Sequence, residues 1–412
     1  MFKSVKGTKD ILPSESALWQ YVEKIAREVF HRFNYKEIRT PIFEHTGLFS
    51  RSIGELTDIV GKEMYTFLDR SEESVTLKPE GTASVIRSYI QHNLTEEQPL
   101  VKVYYISPMF RQERPQAGRL RQFHQFGAEA IGASTPETDV EIIALIVEMY
   151  RSFSLNNFSV KINSVGCENC RPQYKTLLQN ELRKISSQLS PESQNRIEKN
   201  PLRVLDSKNE KDRELTENVP LIYNYLCENC HQHFEKLKSI LTHLTISYQI
   251  DGRLVRGLDY YTKTAFEITS NELGSQDALA GGGRYDLLVQ ELGGKPTPSV
   301  GFAAGIERLI MILEKKQDIQ IPKTHPKLFI AAADDNSREY VFQKTMELRR
   351  KEISVEMDFL QRSLKAQMRE ANRQQAEYVL VIGIQERETQ KGKIKNLSDG
   401  SEKEIDLTKI EI

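Results

Sequence analysis

The chain has 412 residues, 28% of them charged, and a formal net charge of −1 at pH 7. This length exceeds one ordinary hydrophobic core and predicts two or three domains, while the balanced charge excludes a polycation and confines any nucleic-acid surface to a local patch. The longest apolar runs are too short to cross a bilayer, and the first ten residues lack the apolar stretch of a signal peptide, so a cytoplasmic protein without a membrane segment is expected.

The N-terminal part alternates predicted helices and strands. Residues 13–33 carry apolar side chains at the spacing of an amphipathic helix that packs along a sheet. The run EIRTPIFEHTGLF that follows begins as a strand and is interrupted by Pro41, which is tolerated at a sheet edge. Residues 63–80 predict two further strands, EMYTFLD and SVTLKPE, joined by a polar turn.

The second of these strands runs through Glu80, Gly81 and Thr82 into the predicted helix ASVIRSYIQHNL. An acid and a hydroxyl at a strand-to-helix junction are placed to meet an ammonium group. Thr82 is equally explained as the residue that caps the helix N-terminus. The residues alone leave both interpretations open.

Residues 101–132 predict a hairpin with a long basic loop. Two strand-like runs, 101–106 and 122–131, bracket a loop with four arginines, Arg111, Arg114, Arg119 and Arg121. Guanidinium groups suit phosphate, so the loop indicates a grip on polyphosphate or nucleic acid, with a solvated basic loop as the alternative. On the second strand, Gln125 and Glu129 share one face because they are four residues apart. Polar groups on a buried strand are costly without partners, so they indicate a pocket floor.

Residues 134–137 predict a helix start with a capping hydroxyl and a proline in the first turn. Polar helical sequence then extends from about 161 to 240 and predicts an insertion. Its two ends carry all the cysteines of the chain, Cys167, Cys170, Cys227 and Cys230, as two C-x2-C pairs. Two such pairs can offer four thiolates to one structural zinc ion. Reduced, partly buried thiols without metal are the alternative.

The hexamer RGLDYY at residues 256–261 precedes an alternating strand and places an arginine beside two tyrosines. A glycine run at 281–283 lets backbone approach a ligand closely, although a bulge or turn would also explain it. Residues 299–313, SVGFAAGIERLIMIL, predict a strand, a small-residue turn and a helix that carries Arg308.

After a proline-bounded linker at 321–325, residues 327–412 predict a β-α-β-α-β order. Arg362, Lys365, Arg369 and Arg373 follow one helical stripe in this segment. Such a stripe is usually a solvated face, and a nucleic-acid surface is the alternative.

Several of these stretches resemble one family. FRQERPQAGRLRQFHQFGAE is similar to the motif 2 hairpin of class II aminoacyl-tRNA synthetases, in the form found in histidyl-tRNA synthetases. EIRTPIFEHTGLF resembles motif 1, and SVGFAAGIERLIMIL resembles motif 3, with Ile306 where the family commonly has leucine. RGLDYY matches the histidine-specific signature completely. The resemblance covers nearly the whole chain.

The resemblance implies an α+β fold in two domains. Residues 1–325 would form the class II catalytic domain, an antiparallel sheet with flanking helices and a mostly helical insertion at about 168–245. Residues 326–412 would form an α/β anticodon-binding domain. The implied protein is a homodimer joined through motif 1.

The implied reaction activates L-histidine with ATP and Mg²⁺ to histidyl-adenylate and transfers the histidyl group to the 3′-terminal adenosine of tRNA(His). Arg111 would hold the α-phosphate, Arg308 the γ-phosphate, and Arg256 would bridge the carboxylate and the α-phosphate, which makes Arg256 and Arg111 the implied catalytic residues. The implied histidine-binding residues are Glu80, Gly81, Thr82, Arg111, Gln125, Glu129, Arg256, Tyr260 and Tyr261. Glu80, Thr82 and Gln125 among them would hold the α-amino group, and Glu129 and Tyr261 the imidazole. Those for ATP are Arg111, Arg119, Arg121 and Arg308, and those for tRNA are Arg114, Gln116, Arg362, Lys365, Arg369 and Arg373.

Two other functions share this fold. The regulatory subunit of ATP phosphoribosyltransferase is a catalytically silent paralogue, but it lacks the C-terminal domain and usually the motif arginines. An RNA-binding or signalling protein could also reuse the fold. The retained substrate residues favour the enzyme over both.

Overall fold

The computed structural model describes residues 2–54, 57, 59–207, 209–273, 278–316 and 325–412. The chain divides into two compact units, Met1–Gln320 and Ile321–Ile412. The linker predicted at 321–325 lies, apart from His325, outside the described residues. None of the described helices combines the length and the apolar character needed to cross a membrane.

The strands of the first unit, β1 to β11 in chain order, are Lys36–Glu37, Phe43–His45, Tyr65–Leu68, Ser74–Leu77, Val101–Phe110, Gln122–Ile131, Ser159–Ser164, Gln249–Ile250, Thr262–Thr269, Ala278–Arg284 and Ser299–Gly305. Its helices, α1 to α11, are Pro13–Arg32, Thr46–Ile53, Thr82–Gln91, Pro136–Ser152, Arg171–Ile185, Pro191–Lys199, Leu202–Leu205, Glu210–Leu215, Glu228–His243, Leu288–Glu291 and Ile306–Leu313.

One large sheet organises the first unit. Its strand order is β1-β5-β6-β11-β10-β9-β7-β8. The six inner strands pair antiparallel, and only the short edge strands β1 and β8 pair parallel to their neighbours. The predicted antiparallel sheet is therefore present, and the predicted arginine-rich hairpin, β5 and β6, lies next to β11 within it.

Helix α1 packs against this sheet as its apolar pattern predicts. One stripe of the helix is buried, including Val22, Val29 and Phe30. The ring of Phe30 stacks on Tyr104 of β5 with a centroid distance of 4.3 Å. The helix ends at Arg32, and Asn34 adopts a left-handed conformation with φ of 60°, which a helix cannot continue through.

The stretch that resembles motif 1 begins in β1, at the edge of the large sheet, and continues through β2 of a small antiparallel sheet of order β2-β4-β3 into α2. The register places Phe43 opposite Leu77 and Phe67 opposite Val75. Phe43 and Phe67 thus share one face, yet they remain 56% and 49% exposed. This face presents apolar surface that the unit itself does not cover.

Helices α5 to α9 form the predicted helical insertion between β7 and β8, with a core of their own that includes Tyr174, Leu178 and Leu182. Buried Asp139 of α4 connects this part to the large sheet. It accepts a hydrogen bond of 2.7 Å from His233 of α9 and pairs with Arg284 of β10. Burial raises the pKa of Asp139, but the hydrogen bond from His233 and the charge of Arg284 outweigh it, so that pKa is lowered overall.

The second unit has strands β12 to β16 at Leu328–Ala332, Val355–Met357, Tyr378–Ile382, Lys391–Asn396 and Glu402–Asp406, and helices α12 to α14 at Arg338–Arg350, Leu364–Arg373 and Ile384–Thr389. Its sheet order is β13-β12-β14-β15-β16. The first three strands pair parallel, which confirms the predicted β-α-β-α-β order. The hairpin β15–β16 adds two antiparallel strands that the sequence pattern does not predict.

Two local predictions need correction. The first hairpin strand continues to Phe110, four residues beyond its predicted end, because each of its residues up to Phe110 has a partner on β6. Helix α4 begins at Pro136 as predicted, but neither side chain before it caps the helix. The hydroxyl of Thr135 instead contacts the hydroxyl of Thr138 at 3.2 Å.

Candidate active site

The candidate site lies on one face of the large sheet, over a floor of very small residues. Gln125 and Glu129 of β6 stand directly opposite Gly305 and Gly301 of β11, and Ala303 lies between these glycines. The next strand, β10, places Gly281 and Gly283 opposite Ala303 and Gly301. Directly opposed residues share a face of the sheet, so the side chains of Gln125 and Glu129 project from the same face as these glycines and Ala303, which have little or no side chain. The glycine run at 281–283 thus contributes to this floor.

Glu129 is completely buried, and hydroxyl groups occupy both of its oxygens. Thr82 donates to Oε1 at 2.7 Å, and Tyr285 donates to Oε2. A Cβ atom on Gly301 would lie 1.6 Å from Oε2, so glycine is required there. Burial raises the pKa of Glu129 to about 8, although both hydrogen bonds act in the opposite direction.

Glu80 caps the helix that begins beside it. Its carboxylate accepts from the backbone N–H groups of Thr82 at 2.6 Å and Ala83 at 2.8 Å. The cap is therefore Glu80, and Thr82 is the first helical residue, which leaves its hydroxyl available to Glu129. Burial raises the pKa of Glu80. The prediction that these two residues face a common pocket is compatible with this arrangement, but the capping alternative for Thr82 is wrong.

Four tyrosines line the pocket beside Glu129. Tyr260 packs against Tyr261 at a centroid distance of 4.8 Å and edge-on against Tyr285 at 5.5 Å. Tyr105 of β5 covers Gly81 and Gly127, since a Cβ atom on either glycine would lie 2.4 Å from its ring or hydroxyl. Tyr260 and Tyr261 were predicted from the sequence, whereas Tyr105 and Tyr285 were not.

Arg256 extends over the glycine floor. Its guanidinium pairs with Glu267 of β9, and a Cβ atom on Gly281 would lie only 2.0 Å from its Nη2. Its Nε is buried and has no hydrogen-bond partner among the described residues. Oε1 of Gln125 is likewise buried and has no hydrogen-bond partner among the described residues. The hydroxyl of Tyr105 is also buried without a partner among the described residues, so the site contains an unsatisfied donor, an unsatisfied acceptor and one hydroxyl that can be either.

Arg111 begins the loop of the hairpin and points back towards Glu80. Its Nε donates to the carbonyl oxygen of Pro79 at 2.9 Å. Its guanidinium also lies over the ring of Phe123, 5.2 Å from the centroid. Burial lowers its pKa, with the charges of Glu63 and Glu80 acting in the other direction. The backbone and aromatic contacts fix its direction while leaving other N–H groups for a ligand.

The other loop residues occupy three different environments. Arg119 pairs with Glu113, an acid that is itself buried. Arg121 donates to the carbonyl oxygens of Glu113 at 3.3 Å and Lys6 at 3.4 Å, so it contacts the N-terminal segment. Arg114 and Gln116 are exposed, and Gln116 and Arg119 close a tight turn at the tip.

Arg308 of α11 connects the loop tip to the edge of the floor. Its Nε donates to the carbonyl oxygen of Gly118 at 3.2 Å, and its Nη1 donates to that of Ala278. Arg111 thus lies at the start of the hairpin loop, and Arg308 contacts the tip of that loop. The structure brings together Glu80, Thr82, Glu129, Arg256 and the tyrosine pair, with Arg111 at one margin and Arg308 at the other.

The four cysteines converge into one cluster. Sγ of Cys167 lies 3.8 Å from that of Cys170 and 3.7 Å from that of Cys227, and Sγ of Cys170 lies 3.8 Å from that of Cys230. All are free thiols, and all four sulfur atoms lie within 4.8 Å of one another. A tetrahedral ion with bonds of about 2.3 Å to sulfur requires edges of about 3.8 Å, which these distances fit. Within the described part of the chain, no other group of three or more potential ligands is close enough to share a metal ion.

Backbone N–H groups contribute to this cluster as well. Burial raises the pKa of Cys167, but hydrogen bonds from the backbone of Asn169 and Cys170 lower it to about 7. Burial raises the pKa of Cys227 and Cys230. The cluster joins the start of α5, which follows Cys170, to the start of α9, which follows Cys227.

In the second unit, the predicted basic stripe is only partly helical. Helix α13 begins at Leu364, so the prediction of one helical stripe is wrong for Arg362. Arg362 pairs with Asp358 and Glu370, and Arg373 pairs with the same Glu370. Lys365 and Arg369 are exposed, and neither pairs with a carboxylate among the described residues.

Comparison with known proteins gives one family for this architecture. The family model described as histidyl-tRNA synthetase matches residues 7–309, and the model described as anticodon binding domain matches residues 319–411. The histidine–tRNA ligase of Caldanaerobacter subterraneus is 50% identical over 410 residues, which cover 99% of this chain and 98% of that protein. The crystal structure of apo histidyl-tRNA synthetase from S. aureus has a TM-score of 0.84 and 38% identity, and the match covers 99% of this chain and 98% of that one.

A crystal structure from Bacillus halodurans, described as an ATP phosphoribosyltransferase regulatory subunit/histidyl-tRNA synthetase, has a TM-score of 0.67 at 21% identity over 93% of this chain and 98% of that one. At that identity the likeness extends to the fold alone. The family model and the full-length relatives decide membership, and the predicted α+β class is confirmed with them. The chain belongs to the histidyl-tRNA synthetase family and has the class II synthetase fold.

Proposed function

We propose that this protein is a histidine–tRNA ligase, which activates L-histidine with ATP and transfers the histidyl group to the 3′-terminal adenosine of tRNA(His). The observation that carries the proposal is the pair of unsatisfied buried atoms over the glycine floor, Gln125 Oε1 and Arg256 Nε. Buried polar groups are normally paired, so these two fit a ligand that offers both a donor and an acceptor. The ammonium and carboxylate groups of an amino acid supply that combination.

In this proposal, Gln125, Glu80 and Thr82 hold the α-amino group, and Gly81 leaves room for Tyr105 beside them. Glu129 and Tyr261 recognise the imidazole, with Tyr260 forming the wall. An imidazole N–H that donates to buried Glu129 adds a third hydrogen bond to those from Thr82 and Tyr285, so histidine is selected over an amino acid that cannot supply this donor. Tyr285 acts through Glu129, since its hydroxyl fixes the Oε2 side of that carboxyl group.

The first reaction step is attack of the histidine carboxylate on the α-phosphorus of ATP, with pyrophosphate leaving. Arg111 holds the α-phosphate, and Arg256 bridges the carboxylate and the α-phosphate. Charge builds up on the phosphate oxygens in the pentacovalent state, where a fixed guanidinium is most stabilising. Glu267 orients Arg256 for this role through their ion pair.

Arg308 holds the γ-phosphate, and Arg119 and Arg121 complete the ATP site along the hairpin loop. Arg121 donates through Nε and Nη1 to the carbonyl oxygens of Glu113 and Lys6, so Nη2 is the nitrogen that it would offer to ATP. Mg²⁺ accompanies ATP. Substrate phosphates together with one or two carboxylates are the ligands that this ion would usually take.

The tRNA would contact two surfaces. Arg114 and Gln116 at the exposed hairpin tip are placed for the acceptor end. In the second unit, Lys365 and Arg369 are the stronger candidates for anticodon contacts, because the charges of Arg362 and Arg373 are already directed at Glu370. Family membership and the match to an anticodon binding domain support this assignment.

We further propose that Cys167, Cys170, Cys227 and Cys230 hold one structural Zn²⁺. The sulfur distances fit a tetrahedral site, and four protein ligands leave no position for a reacting water molecule. Freshly prepared, reduced protein should therefore contain one zinc ion per chain by elemental analysis. Iron in the same amount, or no metal, would contradict the zinc assignment.

We also propose a cytoplasmic homodimer. Exposed Phe43 and Phe67 supply apolar surface on the small sheet, whose strand β2 belongs to the motif 1 stretch. The four free thiols fit a reducing compartment. Sedimentation analysis of Phe43→Asp beside the unchanged protein tests the interface, because a charge at a self-complementary apolar contact should produce monomers. A dimer that persists in the variant would place the interface elsewhere.

Histidine-dependent exchange of pyrophosphate into ATP tests the activation step. We expect exchange with histidine and background rates with the other standard amino acids. The regulatory-subunit alternative predicts no exchange with any amino acid. That alternative is less well supported, because this chain keeps the hairpin arginines and matches an anticodon binding domain.

A further inference from the structure

One side chain connects the cysteine cluster with the loop proposed to hold histidine. Arg171 is the first residue of α5 and directly follows Cys170. Its guanidinium donates to the carbonyl oxygens of Val165 at 3.2 Å and Gly166 at 3.3 Å. It also donates to the carbonyl oxygen of Tyr261, 90 residues away in sequence. Arg171 therefore ties the segment that enters the cluster to the end of the RGLDYY loop.

Two backbone hydrogen bonds fix the same junction. The N–H of Val165 donates to the carbonyl oxygen of Lys263 at 2.7 Å, and the N–H of Lys263 donates to that of Gly166 at 2.8 Å. Lys263 has φ of 48°, a left-handed conformation that residues other than glycine rarely adopt. Such a conformation persists only where the surroundings impose it. The residues just before the cluster therefore help to set the backbone just after Tyr261.

The insertion also contacts the middle of the loop. Arg203 donates to the carbonyl oxygen of Gly257 at 2.7 Å, and Asn200 donates to Oδ1 of Asp259 at 3.0 Å. The loop is thus attached to the insertion at several points along its length. The cysteine cluster lies at the base of that insertion, where it joins α5 to α9.

Charge gives the metal a direct influence on Arg171. Four thiolates and one Zn²⁺ sum to a net charge of −2, and the guanidinium next to Cys170 lies where it offsets part of that charge. Ligation would also fix the position of Cys170 and therefore the start of α5. Without metal, this restraint on Cys170 and on the start of α5 is removed.

We propose that Arg171 is a positioning residue for histidine binding, which couples the metal-bound state of the cysteine cluster to Tyr261. This inference rests on the zinc site and on the histidine activation proposed above. With zinc bound, Arg171 holds the Tyr261 carbonyl group, and the tyrosine side chain stays packed against Tyr260 in the pocket. When the metal is removed, the loop end is released and histidine binds more weakly. The hydrogen bonds of Arg171 go to the junction and not to the hairpin arginines that face ATP, so ATP binding changes little.

The test compares Arg171→Ala, Arg171→Lys and the control Arg183→Ala in histidine-dependent pyrophosphate exchange, with zinc measured in each sample. Arg183 lies on the same helix, but it pairs with exposed Glu198. We expect Arg171→Ala to keep its zinc and to raise the KM for histidine about tenfold, the effect of removing one charge-assisted hydrogen bond, with the KM for ATP changed less than about twofold. Arg171→Lys should restore part of the affinity, since it keeps the charge, and Arg183→Ala should match the unchanged protein.

Removal of zinc with a chelator in reducing buffer completes the test. The unchanged protein should lose histidine affinity by about the same factor as Arg171→Ala, and chelation of Arg171→Ala should cause little further loss, because both changes break one connection. Fully additive losses would overturn the coupling. So would an Arg171→Ala protein that keeps its zinc and an unaltered KM for histidine, or one in which both KM values rise equally.

The proposals can fail separately. Freshly prepared protein that exchanges pyrophosphate but contains no zinc would overturn the metal site and the coupling, while the proposed reaction would stand. Protein that contains zinc but shows no histidine-dependent exchange would overturn the proposed reaction, and the positioning role with it.

Discussion

The KM for histidine should depend on pH through Glu129. Burial raises the pKa of this carboxyl group to about 8. The group is therefore about 9% ionised at pH 7 and about 76% ionised at pH 8.5. If the imidazole N–H donates to the ionised form, the competent fraction rises about eightfold over this interval, and the KM should fall by about the same factor. The imidazole of histidine, with an ordinary pKa of about 6.5, is already largely neutral throughout this range.

Glu129→Gln supplies the matched control. The amide has nearly the shape of the carboxyl group but does not titrate, so it removes the pH dependence that belongs to Glu129 and retains any that belongs to the substrate. At pH 8.5 the variant should also bind histidine about 10- to 150-fold more weakly, because a hydrogen bond to a charged group contributes about 1.5–3 kcal/mol. The KM for ATP should remain near its original value.

Pyrophosphate exchange measured from pH 7 to 8.5 with histidine as the varied substrate provides the readout. The ratio of the two KM values, variant over unchanged protein, should grow as the pH rises. A ratio that stays constant or shrinks would refute the proposed contact between an ionised Glu129 and the imidazole.

Three further predictions concern other parts of the chain. Arg256→His should slow adenylate formation, measured in single-turnover experiments, about 100-fold or more and leave the affinity for tRNA nearly unchanged. Equal losses in adenylate formation and in tRNA binding would contradict the role of Arg256 at the transition state. The double variant Lys365→Ala, Arg369→Ala should leave pyrophosphate exchange intact and raise the KM for tRNA. The slope of log binding constant against log salt concentration should become shallower by about 0.7 for each phosphate that is no longer neutralised. An unaltered KM and an unaltered slope would show that these residues form only a solvated face. Asp139→Asn leaves the fully buried Arg284 without its principal partner and should lower the free energy of unfolding, measured in urea, by about 3 kcal/mol. This loss should shrink at acid pH, because a carboxylate with a lowered pKa stabilises the fold only while it is ionised. A change below about 1 kcal/mol would show that Asp286 and the backbone carbonyl groups suffice as partners of Arg284.

The elements recoverable from the sequence are those set by local patterns. The apolar spacing of residues 13–32 gives α1, and the two runs around the arginine loop give β5 and β6. Such patterns describe which residues share a face of one element. Gln125 and Glu129 follow from the same rule, because period two places both on one face of β6.

The remaining parts of the site depend on neighbours that are distant in sequence. Tyr285 is 156 residues from Glu129 and meets it only because β11 pairs with both β6 and β10. Gly301 resembles an ordinary strand glycine until that pairing places it opposite Glu129. The match to the RGLDYY motif predicts that Arg256 contacts the substrates. The spacing of residues along the chain does not predict that Glu267 is the partner of its ion pair.

The error at Arg362 has a local cause. Helical spacing alone places it on one stripe with Lys365 and Arg369. Ser363 immediately before Leu364 is a residue type that favours a helix N-cap, and this signal excludes Arg362 from the helix. The acid Glu370, farther along the helix, then attracts two of the four basic residues, which a count of positive charges does not reveal.

Aminoacylation of purified tRNA(His) with labelled histidine tests the central claim most directly, because it requires amino acid activation and tRNA recognition in one protein. The account predicts ATP-dependent incorporation of histidine into this tRNA, none into a tRNA for another amino acid, and loss of incorporation in Arg256→His. A folded, dimeric preparation that binds ATP and tRNA but transfers no histidine would contradict the account.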